Sequence, residues 1–123
     1  TKAISLSDIL GARVKVIDWT NVESQLEEVL TLVNTTSLGM IGKPRVSPNI
    51  SRLNPQALVV DLVYNPLETD LLKTAKSMGL KTVDGLGMLL HQGVPGFEKW
   101  FGVQPKVTEE LEMLLQEKCN VTF

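Results

Sequence analysis

The chain has 123 residues, 43% hydrophobic and 21% charged, the balance of one modest globular domain with a real core. Its net charge of −2 comes without a basic block, so nucleic acid is not an expected partner. No apolar run reaches membrane-spanning length, no signal peptide opens the chain, and the single Cys119 excludes an intrachain disulfide, so a cytoplasmic, non-membrane setting is expected.

Helical and strand patterns alternate along the chain. Lys2–Leu10 reads as the end of a helix, closed by Gly11. Residues 13–17 (RVKVI) alternate polar and apolar and predict a strand. Residues 21–29 read as a short acidic helix, and 30–33 as a strand running into the polar turn NTTSLG. Residues 41–55 form a long loop rich in Pro, Ser and Asn. The run ALVVDLV at 57–63 is nearly all apolar, as expected of a strand buried on both faces of a parallel sheet. Residues 67–79 predict a helix with a Gly stop, and Lys81–Val83 a short strand. Residues 85–101 are helical in pattern, with a kink or break expected after Gln92 because the Pro95 ring clashes with the carbonyl of His91. Residues 107–118 predict a terminal amphipathic helix. The alternation defines an α/β class with a parallel sheet.

Open α/β sheets bind ligands beyond the carboxyl ends of their strands. Three segments fall there: residues 34–39, residues 64–69, and Asp84 onward. Thr35, Thr36 and Ser37 can offer hydroxyls and N–H groups to a phosphate or ribose, although such a turn more often satisfies its own backbone. Tyr64 ends the apolar strand and could bond a hydroxylated substrate, or pack as a rim aromatic. Asp61 lies inside that strand and needs partners. Pro66 and Thr69 suit a turn and a helix start.

In DGLGMLLHQG, seven positions separate Gly85 from Gln92, which returns to nearly the same helix face at ~100° per residue. Gly85 would admit a ligand closely, and Gln92 can donate and accept at once. His91, the single histidine, is turned roughly 120° off that face and has no metal-ligand company, so no metal is expected. Met88, Leu89, Trp19 and Trp100 read most simply as packing residues. Three triplets match the glycosylation pattern, beginning at Asn34, Asn49 and Asn120, without a secretory signal to make them useful.

Together, NTTSLGM, VVDLVYNPLET, DGLGMLLHQG and FEKWFG, in this order and spacing, resemble the carboxyl-terminal half of the shikimate dehydrogenase family. The resemblance implies a Rossmann-like doubly wound parallel sheet lacking its first two strands, and a part in NADPH-dependent interconversion of 3-dehydroshikimate and shikimate on the route to chorismate and the aromatic amino acids. Residues 1–123 would form the carboxyl-terminal part of the NADP-binding domain, terminal helices included, with the substrate domain absent. Thr36, Ser37, Leu62 and Gly85 resemble cofactor-site residues, Leu62 standing where many members have Met. Tyr64 and Gln92 resemble substrate-binding residues. The family's catalytic Lys and Asp, its glycine-rich phosphate loop and its reader of the NADP 2′-phosphate have no counterpart here, so the chain holds no catalytic residue and is expected to be inactive alone. Quinate/shikimate dehydrogenase is a near relative, and a non-catalytic dehydrogenase-like module is the alternative class.

In a doubly wound sheet of order 3-2-1-4-5-6 this chain would supply strands 3 to 6. Strand 3, at residues 13–17, then has no neighbour, and strand 4 has an open edge that invites pairing. The missing strands are expected from the amino-terminal half of the same protein or from a second chain.

Overall fold

Three short runs pair into one parallel sheet in the order β1 (Thr31–Asn34), β2 (Leu58–Asp61), β3 (Lys81–Val83). The computed structural model describes residues 2–45 and 48–119, so the triplet at Asn120 and loop residues 46 and 47 lie outside the described residues. Register sets Asn34 beside Asp61 and Val59 beside Thr82. Strand side chains alternate across the sheet. Leu32, Asn34, Val59, Asp61 and Thr82 therefore share one face.

Helix α2 (Asp70–Ser77) covers that face. Thr69 caps it, its hydroxyl accepting from Leu72 N at 3.4 Å, and Gly79 ends it at φ 76°. Leu71, Leu72 and Ala75 are the buried stripe. They meet Val59 and Leu80 in a core completed by Leu26, Ile50 and Leu53. Burying a leucine such as Leu72 contributes about 2 kcal/mol. The long loop thus supplies core residues. Two Asx turns shape it, with Ser51 N donating to Asn49 Oδ1 and Gln56 N to Asn54 Oδ1 at 3.0 and 2.9 Å.

The remaining helices leave the sheet alone. Helix α1 (Lys2–Leu10) packs on the 3₁₀ turn that follows it, and α3 (Leu86–Phe101) packs on α4 (Glu109–Cys119). The second sheet face is therefore open, with Val33 and Val83 exposed and Leu58 and Val60 half-buried. The expectation of a strand buried on both faces holds for one face only.

Residues 13–17 form no strand. Gly11–Arg13 is a 3₁₀ turn, and the extended stretch after it lacks a ladder partner among the described residues. Alternation gives a strand its faces, but a neighbour must give it hydrogen bonds. Residues 21–29 are not one helix either. Two 3₁₀ turns, Trp19–Asn21 and Glu23–Gln25, stand there, the first capped by Asp18, whose Oδ1 accepts from Thr20 N and Oγ1 at 3.0 and 2.6 Å. Helix α3 runs through Pro95 without a break. His91 and Gln92 are exposed, so water can satisfy the carbonyl that Pro95 leaves unpaired. Neither tryptophan is a core residue: Trp19 is 55% and Trp100 81% exposed. Met88 is also exposed.

Candidate functional site

The polar groups gather at the carboxyl ends of the three strands around one carboxylate. Asp61 is fully buried, yet it accepts three hydrogen bonds. Asn34 Nδ2 donates to its Oδ1 at 2.9 Å and Val63 N to the same oxygen at 3.0 Å. Thr69 Oγ1 donates to Oδ2 at 2.6 Å. A buried carboxylate is tolerable only when its lone pairs are met in this way. Asn34 continues the network: its Oδ1 accepts from Thr36 N and Oγ1 at 3.1 and 2.7 Å, and its Nδ2 also donates to Leu38 O at 3.0 Å. Asn34 is 6% exposed, so the folded chain does not present this triplet for glycosylation.

The network fixes the NTTS turn and the exit of β2 side by side. Leu62 N donates to Asn34 O at 3.0 Å, and Gly85 N to Val63 O at 3.3 Å. Thr36, Leu62 and Gly85 are thus neighbours across the three strand ends. The Thr36 hydroxyl is spent within its turn, also accepting from Leu38 N at 3.1 Å. Ser37 is exposed beside it. Tyr64 follows Val63 at the rim and is 36% exposed.

Gly85 owes its size to the fold. A Cβ there would lie 2.3 Å from Leu62 O and 2.8 Å from Val63 O, so two backbones meet where the sequence suggested room for a ligand. Asp84 stands just before Gly85, the N-cap of this helix, and its Oδ1 accepts from Leu86 N at 3.0 Å. Gln92 sits about 10 Å further along α3, at ~1.5 Å per residue. It is exposed, and among the described residues its amide has no hydrogen-bond partner. The structure therefore brings Gly85 against Leu62, ties Leu62 to the Thr36 turn through Asn34, and sets Gln92 apart from them.

A cleft of about 210 Å³ opens at the end of β1, between Trp19, Val22, Val33, Thr35, Thr36 and Leu71. Its lining holds Asn34, hydroxyl and apolar atoms and, among the described residues, no cationic side chain. That donor set suits the uncharged base or sugar of a nucleotide and offers no positive charge to a diphosphate. Trp19 is the part of this wall that sequence reasoning missed, because its aromatic ring alone signals packing. Among the described residues, no cluster of three His, Cys, Asp or Glu side chains is placed to hold a metal, and no helix is long and apolar enough to cross a membrane.

Outside the cleft, Lys76 Nζ lies 2.6 Å from Glu68 Oε1. This hydrogen bond, reinforced by the lysine's charge, holds the Glu68 carboxyl below its ordinary value. A depressed carboxyl stabilises above its unfolded pKa and loses that contribution as pH falls through the folded value. The pair is exposed, so its weight is small. In an NMR titration, Lys76→Met should raise the Glu68 midpoint; an unmoved midpoint would exclude the pair as the cause.

A parallel sheet with its polar loops gathered at the strand carboxyl ends defines a Rossmann-like α/β fold. The family model of the shikimate 5'-dehydrogenase C-terminal domain matches residues 85–109. The shikimate dehydrogenase (NADP(+)) of Cereibacter sphaeroides is 56% identical over 109 residues, covering 89% of this chain and 39% of that protein. Shikimate 5-dehydrogenase from Thermus thermophilus, solved with NADP(H) and shikimate, superposes with a TM-score of 0.73 at 27% identity, over 94% of this chain and 41% of that one. Quinate dehydrogenase from Corynebacterium glutamicum, solved with NAD, gives 0.72 at 31%, over 94% and 39%. Over most of its length the chain is thus similar to the carboxyl-terminal part of shikimate dehydrogenases.

Proposed function

We propose that this chain is part of an NADP-dependent shikimate dehydrogenase, interconverting 3-dehydroshikimate and shikimate. The identity of 56% with a relative named for that activity carries the reading. Residues 1–123 serve in it as the carboxyl-terminal part of the cofactor domain. The amino-terminal half of the same protein, or a second chain, brings the substrate domain, the Lys and Asp that move the proton, and strands for the free edge of β1. A cytoplasmic setting suits such an NADPH-consuming biosynthetic step.

Bound NADPH supplies the hydride. The chain's own residues bind and orient. The Thr36–Ser37 turn lines the cofactor side, and its neutral cleft suits a base or sugar, so the phosphates fall to groups elsewhere. Leu62 and Gly85 back the nicotinamide. Tyr64 and Gln92 hydrogen-bond the substrate, and the unpartnered Gln92 amide supports that role. No residue placed here transfers a proton, so general acid–base catalysis lies outside these positions.

The test is nicotinamide reduction by the full-length protein, with shikimate and quinate, and with NADP and NAD, in parallel. Shikimate with NADP is expected to give the highest kcat/KM. No reduction with either acid would overturn the reading in favour of a non-catalytic module, and a preference for quinate or NAD would move it to the quinate branch. Gln92→Ala should lower kcat/KM for shikimate by roughly 1–3 kcal/mol, the loss for one unpaired substrate hydroxyl. The KM for NADP should hold. An equal loss for both would remove Gln92 from the substrate role.

A further inference from the structure

Two buried side chains at the strand ends have no part in the roles above, yet both hold the residues that do. The turn at 34–38 is folded around the Asn34 amide, which meets Thr36 N, Thr36 Oγ1 and Leu38 O. Among the described residues, Asp61 is the one side chain of another element that hydrogen-bonds this amide, at 2.9 Å. Asp61 in turn accepts from Val63 N, one residue before Tyr64 and one after Leu62. The pair is 6% and 0% exposed, so water cannot substitute for the bond.

We propose that Asn34 and Asp61 are positioning residues whose mutual hydrogen bond sets the height of the Thr35–Thr36 wall and thereby the affinity for the dinucleotide. This rests on the reading that the wall lines the cofactor. Other fastenings keep the fold when the bond is lost, notably Leu62 N on Asn34 O at 3.0 Å. The effect therefore falls on binding, and turnover at saturating cofactor is spared.

The experiment uses steady-state kinetics of the full-length enzyme. Asn34→Ser keeps an oxygen for Thr36 N but cannot reach Asp61. Asn34→Asp sets a second carboxylate against the first. Each should raise the KM for NADP roughly tenfold, the factor for one charge-assisted hydrogen bond worth about 1.4 kcal/mol, with kcat within about twofold. A purely structural bond would lower Tm in the single variants and leave the KM for NADP unchanged, which overturns the proposal. Thr35→Tyr separates the two readings, because Thr35 faces the cleft and takes no part in the Asn34 hydrogen bonds. If Thr35→Tyr raises that KM and the Asn34 variants do not, the wall lines the cofactor and the positioning role is wrong. If none of them moves it, both fail.

Discussion

Gly85→Ala should cost about 3 kcal/mol or more of stability, at the upper end for inserting a methyl into a packed interior. The backbone is not the obstacle, since Gly85 has φ −82°, which any residue adopts. Space is the obstacle. The new Cβ would stand 2.3 Å from Leu62 O and 2.6 Å from Leu62 C, and neither belongs to a flexible side chain that could swing away. Relief requires parting the start of α3 from the exit of β2, which gives up Gly85 N to Val63 O and disturbs the buried Leu86. Against a total stability of about 5–15 kcal/mol, this is a large fraction. Urea unfolding of the two proteins measures it. A loss under about 1 kcal/mol would show that the strand exit can retreat, and the close approach would no longer explain the glycine.

Asp61→Leu is expected to cost about 3–5 kcal/mol, for the opposite reason. Leucine fits the apolar strand, but it leaves one N–H of the Asn34 amide, the Val63 N–H and the Thr69 hydroxyl without an acceptor. Each buried orphan costs about 1–3 kcal/mol, and partial relaxation keeps the sum below three full penalties. Asp61→Asn keeps one oxygen for Asn34 and Val63 and should cost about half as much. Guanidinium midpoints of the two variants decide the point: equal losses would mean that the hydrogen-bond network is not what Asp61 contributes.

These two residues mark how far the sequence could be read. The apolar run around β2, the Gly stop after α2 and the amphipathic α4 carry local signals, and each element stands where its pattern predicts it. The three polar segments at the strand ends were also legible, because a parallel sheet sends its loops there. Residues 13–17 were not. Their alternation is real, but strand formation depends on a neighbour that no local pattern contains. The acidic stretch after Asp18 failed similarly, since two 3₁₀ turns satisfy its backbone groups and still bury Leu26.

The sequence by itself determined the α/β class, the order of most elements and the family resemblance, because periodicity, caps and ordered motifs are properties of neighbouring residues. Only the tertiary structure decided why Gly85 is a glycine, what holds Asp61, and that Asn34 faces it. Asn34 and Asp61 lie on different strands, and parallel register brings them together. That contact depends on a pairing across the sheet, which sequence distance cannot express. The chain spans 39% of the Cereibacter sphaeroides relative's length, and among the described residues one sheet face and the β1 edge are open.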